Sequence, residues 1–149
     1  MLGKKVRTYW LVLNMALFAG NVFPAVEPRA WDSAAVQALS DDLLTAAHRL
    51  VIECRTSPSN YTGGDNSGTH LDFRYHVRHF RTLAVDLSTA IEESQGKEST
   101  RPIYKEMLHV MVDLEKYAVD NPRGAWVKVE KAVKETDSIL GQLGWFYGQ

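Results

Sequence analysis

The sequence predicts an all-α domain, an antiparallel up-down-up-down four-helix bundle that follows an N-terminal signal peptide. Three observations carry this expectation. Four stretches keep apolar residues at alternating steps of three and four, which places them on one face of a helix. No stretch beyond the first 25 residues alternates with period two for long enough to make a strand. Three of the four stretches are joined by short links, as in bundles whose neighbouring helices run in opposite directions.

The first stretch opens after an extended lead-in that contains Pro28. Asp32 or Ser33 is placed to cap it, because a short polar side chain there accepts from the free N–H groups of the first turn. Val36, Leu39, Leu43, Ala47, Leu50 and Cys54 hold helical spacing to about Thr56, ahead of Pro58. Residues 57–69 then lose the apolar period. They are rich in Gly, Ser and Asn, and predict a flexible loop. Its Gly-Gly-Asp-Asn-Ser-Gly run lacks the Gly-Lys-Ser/Thr ending of a phosphate loop and has no strand before it.

The second stretch has the strongest pattern. Phe73, Val77, Phe80, Ala84, Leu87 and Ile91 form its stripe, with His76, Leu83 and Ala90 at one edge. Thr69 and Asp72 have the spacing of a capping box, which predicts a start near Thr69. The end is expected near Gln95, with Gly96 taking the left-handed position after the helix. The third stretch is expected to follow Ser99 and Thr100, with Pro102 in its first turn, where a missing N–H costs little. Its inner residues are Ile103, Met107, Val110, Leu114 and Tyr117. The fourth is expected to open at Asn121-Pro122 and to bury Trp126, Val129, Val133, Thr136, Leu140 and Leu143.

Residues 1–25 stand apart from this domain. Lys4, Lys5 and Arg7 form a positive region, and Tyr9 to Gly20 is apolar except for Asn14. This is the layout of a secretory signal peptide, and it is short for a membrane span. Cutting after Ala25 leaves the bulky Phe23 where a small residue is preferred, so an uncleaved anchor is the competing outcome. The expected product is a single domain at residues 26–149, exported to the periplasm or secreted, without a stable membrane span. Removing three basic and no acidic residues takes the charge from 17 − 18 = −1 to 14 − 18 = −4. Neither value suggests nucleic acid as a partner, because phosphate binding needs concentrated positive charge.

Cys54 is the only cysteine, so export does not bring an intrachain disulfide. It reads as a small buried hydrophobe. The one constellation above background is His76 and His79 with Asp72 a turn earlier. Steps of three and four put these groups on neighbouring turns, near enough to share a metal ion. Imidazole suits Zn, Cu and Ni, and a carboxylate can complete such a site. Facing helices would have to supply the remaining ligands, and the candidates are His48 on the first helix and Met107 or Met111 on the third. A haem site is the weaker form of the same idea. It needs an inward Met or His pair, and no CxxCH attachment motif is present. Nothing in the order of Ser, His and Asp selects a catalytic triad. The leading expectation is a non-catalytic protein that binds a ligand or a protein partner in the bacterial envelope. The alternative is a metal- or haem-binding bundle for sensing, storage or electron transfer, built on His76 and His79. No cofactor is demanded by the residues themselves.

Overall fold

The computed structural model describes residues 29–56, 67–120 and 127–148, without side chains at 67–71 and 118–120. The expected signal peptide, most of the expected loop, Asn121-Pro122 and Trp126 lie outside the described residues. Within them the protein is all-helical, with four helices and no strand: α1 Ser33–Thr56, α2 Ser67–Glu92, α3 Lys97–Asp120 and α4 Val127–Tyr147. None of the described helices is long and apolar enough to cross a membrane.

Asp32 caps α1. Its Oδ1 accepts from the N–H groups of Ala34 at 3.0 Å and Ala35 at 3.1 Å, two donors that have no partner inside the helix. The helix ends at Thr56, as the pattern predicts, and buries Val36, Leu43, Ala47, Leu50 and Cys54.

The start of α2 differs from expectation. It begins at Ser67, so Thr69 and Asp72 lie inside the helix, and residues 67–69 are helical where a loop is expected. All six residues of the predicted stripe are buried. The end differs too. The N–H of Ser94 donates to the carbonyl of Ile91 at 2.8 Å, and that of Gln95 to the carbonyl of Ala90 at 2.9 Å. This pair of bonds closes a helix when the residue between them turns left-handed. That residue is Ser94, at φ 63°, not Gly96. Gly96 is used to start α3, where its carbonyl accepts from the N–H of Thr100 at 3.2 Å. A side chain in the left-handed region carries steric strain that glycine lacks. Ser94→Gly is therefore expected to raise unfolding free energy by about 0.5 to 1 kcal/mol, after the greater freedom of glycine in the unfolded chain is subtracted. A urea melt that shows a loss instead would mean the serine hydroxyl holds this turn.

Because α3 starts at Lys97, Pro102 falls in its second turn and not in its first. Thr100 is likewise no cap. It is fully buried, and its hydroxyl reaches back to the carbonyls of Gly96 at 3.1 Å and Lys97 at 3.3 Å. On α4, five of the six predicted stripe residues are described, and Val129, Val133, Thr136, Leu140 and Leu143 are all buried.

Each helix packs on two others: α1 on α2 and α4, and α3 on the same two. The stripes meet in one core that includes Leu43, Leu50, Phe80, Leu87, Met107, Leu114 and Leu140. Removing such apolar surface from water is the main force holding the helices together. Polar contacts tie the seams. Ser88 Oγ donates to Asp41 Oδ1 at 3.1 Å between α1 and α2, and Arg49 pairs with Glu135 at 2.6 Å between α1 and α4. The end where α4 stops is aromatic. Tyr147 stacks on Tyr104 with centroids 4.3 Å apart, and the lead-in residue Trp31 meets Tyr147 edge-on at 5.5 Å. The backbone N–H of Arg29 donates to the carbonyl of Trp145 at 2.8 Å, with its guanidinium 4.6 Å from the centroid of that indole. The terminal aromatic run therefore packs into the domain.

Candidate functional site

The outer edge of α2 carries Asp72, Tyr75, His76 and His79, because these positions fall beside the Phe73–Val77–Phe80 stripe on a 3.6-residue period. α3 answers with Glu106, His109 and Asp113, spaced by three and four on its polar side. The two helices bring these sets together. His76 Nδ1 lies 3.9 Å from Asp113 Oδ2, and His79 Nε2 lies 3.6 Å from Glu106 Oε1. Within α3, His109 Nδ1 lies 3.8 Å from Glu106 Oε2. None of the three is short enough for a hydrogen bond, so the carboxylates face the imidazoles without binding them tightly. His76 Nδ1 is buried and has no hydrogen-bond partner.

Aromatic rings frame the pair. Tyr75 is 65% exposed and lies nearly parallel to His79, with centroids 6.1 Å apart and planes at 17°. It also meets His76 edge-on at 5.7 Å. On the inner side His76 lies 6.0 Å from the Tyr117 ring, which in turn meets Phe73. The site thus grades from core through Phe73 and Tyr117 to water at Tyr75.

The four metal ligands expected from the sequence do not assemble. His76 and His79 share the α2 edge, while Asp72 is exposed on that helix and His48 is exposed on α1. Among the described residues no three His, Cys, Asp or Glu side chains converge on one point as metal ligands would. The neighbours of His76 and His79 are Asp113 and Glu106, which sequence reasoning did not join to the histidines. The signal that marks them is their matching step of three and four. Met107 and Met111 are buried in the core, where a thioether fills space. Cys54 is also buried. Burial pushes its thiol up from the ordinary range, against the opposing pull of Arg74, Arg78 and Arg55, so a reactive thiolate is disfavoured. His109 is exposed on α3.

Comparison with protein-family models, with curated proteins and with solved structures found no match to this chain.

Proposed function

We propose that the chain is a small exported bundle that binds a ligand or protein partner in the bacterial envelope and does not itself catalyse a reaction. Residues 1–25 act as its signal peptide, residues 26–149 form one domain, and the product is periplasmic or secreted. The helices run up-down-up-down. Their seams support this order, since early α1 meets late α2 through Asp41 and Ser88. Early α2 meets late α3 through His76 and Asp113, and early α3 meets late α4 through Arg101 and the carbonyl of Tyr147.

The observation that carries the binding role is the α2–α3 face. An exposed tyrosine beside half-buried imidazoles and two carboxylates offers an apolar ring together with polar groups that are poorly satisfied within the chain. Tyrosine and such mixed surroundings recur where proteins contact partners. The test has two parts. Intact mass of protein taken from the envelope is expected to show a chain that begins near residue 26; a whole chain recovered from the cytoplasm would sink the export reading. Material that co-purifies with the parent is expected to be lost from Tyr75→Ser, with the helical circular dichroism unchanged. Its retention would move the binding face elsewhere.

A second reading is a metal or haem carrier for sensing, storage or electron transfer. The specific support is for a metal: two histidines on neighbouring helices approach one carboxylate, Glu106.

A further inference from the structure

We infer that the outer seam between α1 and α2 docks on an anionic phospholipid surface. This strip lies on the flank of α2 away from α3, so it does not depend on the Tyr75 face. Two contacts fix which flanks of α1 and α2 meet. At one end Ser88 Oγ donates to Asp41 Oδ1 at 3.1 Å. At the other, Arg74 and Arg78 of α2 lie beside Cys54 of α1, as does its neighbour Arg55. Steps of three and four from Asp41 reach Ile52 and Arg55 on the same flank of α1. The same steps back from Ser88 reach Val85, Arg81, Arg78 and Arg74 on the facing flank of α2. Arg55, Arg78 and Arg81 are exposed, and Arg74 is half-buried. Between them Ile52 and Val85 stand 58% and 38% exposed. Glu53, Asp72 and Asp86, the carboxylates close by in sequence, lie roughly 80° or more around their helices from this strip.

Among the described residues none of these four arginines pairs with a carboxylate. The other described arginines all have partners: Arg49 on Glu135, Arg101 on Glu98 and Arg29 over the Trp145 ring. Arg74 Nε is buried and has no hydrogen-bond partner, so its guanidinium is only partly satisfied within the chain. The choice of cation also points to phosphate. α1 and α2 contain arginine and no lysine, whereas α3 and α4 carry six lysines and one arginine. A guanidinium fork binds two phosphate oxygens at once, which an ammonium does not. The whole chain has a net charge of −1, so the strip is a local concentration of positive charge. From Arg74 to Val85 it runs about 16 Å along α2. That length suits a sheet of headgroups better than a single phosphate. Ile52 and Val85 decide between the two. They can enter the boundary between headgroups and acyl chains, whereas a free phosphate leaves them in water.

The experiment floats the full chain with vesicles of equal parts phosphatidylcholine and phosphatidylglycerol, and with vesicles of phosphatidylcholine alone. The readout is the ratio of the two affinities, in which the apolar stretch from Tyr9 to Gly20, common to every variant, cancels. Arg78→Gln with Arg81→Gln is expected to lower that ratio by roughly twentyfold or more, at about fivefold per arginine. Lys128→Gln with Lys131→Gln removes the same charge from α4 and is expected to change it by less than about twofold. Circular dichroism should show all three chains equally helical. A position-specific probe reads the face directly. A nitroxide on Ile52→Cys, in a chain that also carries Cys54→Ala, is expected to lose collisions with a water-soluble nickel chelate on the mixed vesicles. The same label on Val112→Cys, exposed on α3, is expected to keep them. An Ile52 label that stays in water overturns the lipid face, even where inorganic phosphate still binds the arginines. A ratio that the arginine variant keeps in full, or that both double variants lower equally, overturns it as well.

Discussion

Phe80→Ala is expected to lower the unfolding free energy by about 3 to 5 kcal/mol, which is a large part of what a domain of this size usually has. Phe80 is fully buried midway along α2, the helix that packs on both α1 and α3. Removing its ring gives up the burial of that apolar surface. It also leaves a cavity that helices held on two sides can fill only in part, and the cavity adds to the cost. Leu87→Ala, two turns further along the same stripe and fully buried, is expected to cost about 2 to 5 kcal/mol by the same mechanism. The control is Tyr75→Ala on the same helix. That residue is exposed and away from the core, so its loss is expected to change stability by less than about 0.5 kcal/mol. Urea melts with an unchanged slope provide the comparison. A loss below about 0.5 kcal/mol at both Phe80 and Leu87 would mean that this face of α2 is not the buried one.

The same contrast explains what the sequence reveals and what it hides. A helical stripe belongs to one segment, so its period can be read without knowing where the segment packs. The six stripe residues of α2 and the described five of α4 are buried as expected for this reason. Helix ends are decided by single turns that several residues can make. Gly96 is the better left-handed residue on steric grounds, yet Ser94 takes that conformation because the bonds from Ser94 and Gln95 close α2 two residues earlier. Gly96 is then free to open α3, and this moves Pro102 one turn deeper than its helix-start preference suggests.

The candidate site is less legible because it depends on register between two helices. From sequence, the carboxylate nearest His76 and His79 is Asp72, on their own helix. The carboxylates that meet them are Asp113 and Glu106, some thirty residues away on α3, and nothing within α2 itself tells which stretch of α3 lies beside it. His48 fails as a ligand for a related reason. α1 does pack on α2, but His48 lies on the exposed side of α1. Neighbouring helices bring together only the side chains that point into the seam.

Tyr147→Ala is expected to cost about 3 to 5 kcal/mol, close to the Phe80 truncation, although the residue is the last of α4. Terminal residues usually contribute little unless they are tied down. Tyr147 is tied down by α3 and by the lead-in. Its ring is nearly fully buried, stacks on Tyr104 of α3 at 4.3 Å with planes at 12°, and receives Trp31 of the lead-in edge-on. Its hydroxyl donates to Thr100 Oγ1 at 2.7 Å. Burial pushes the phenol up from its ordinary range, against the pull of that bond and of Arg101, so it remains a neutral donor at physiological pH. Tyr147→Phe separates the ring from the hydroxyl. It keeps the stack and removes one hydrogen bond, while the Thr100 hydroxyl still donates to the carbonyl of Gly96 at 3.1 Å. Only one acceptor site on Thr100 is then left unmet, so the loss is expected to be about 1 kcal/mol. Thermal melts of the two variants decide between them. Near-equal losses would place the stabilisation in the hydroxyl. A loss below about 1 kcal/mol for the alanine variant would mean that the aromatic end of α4 does not belong to the cooperative core.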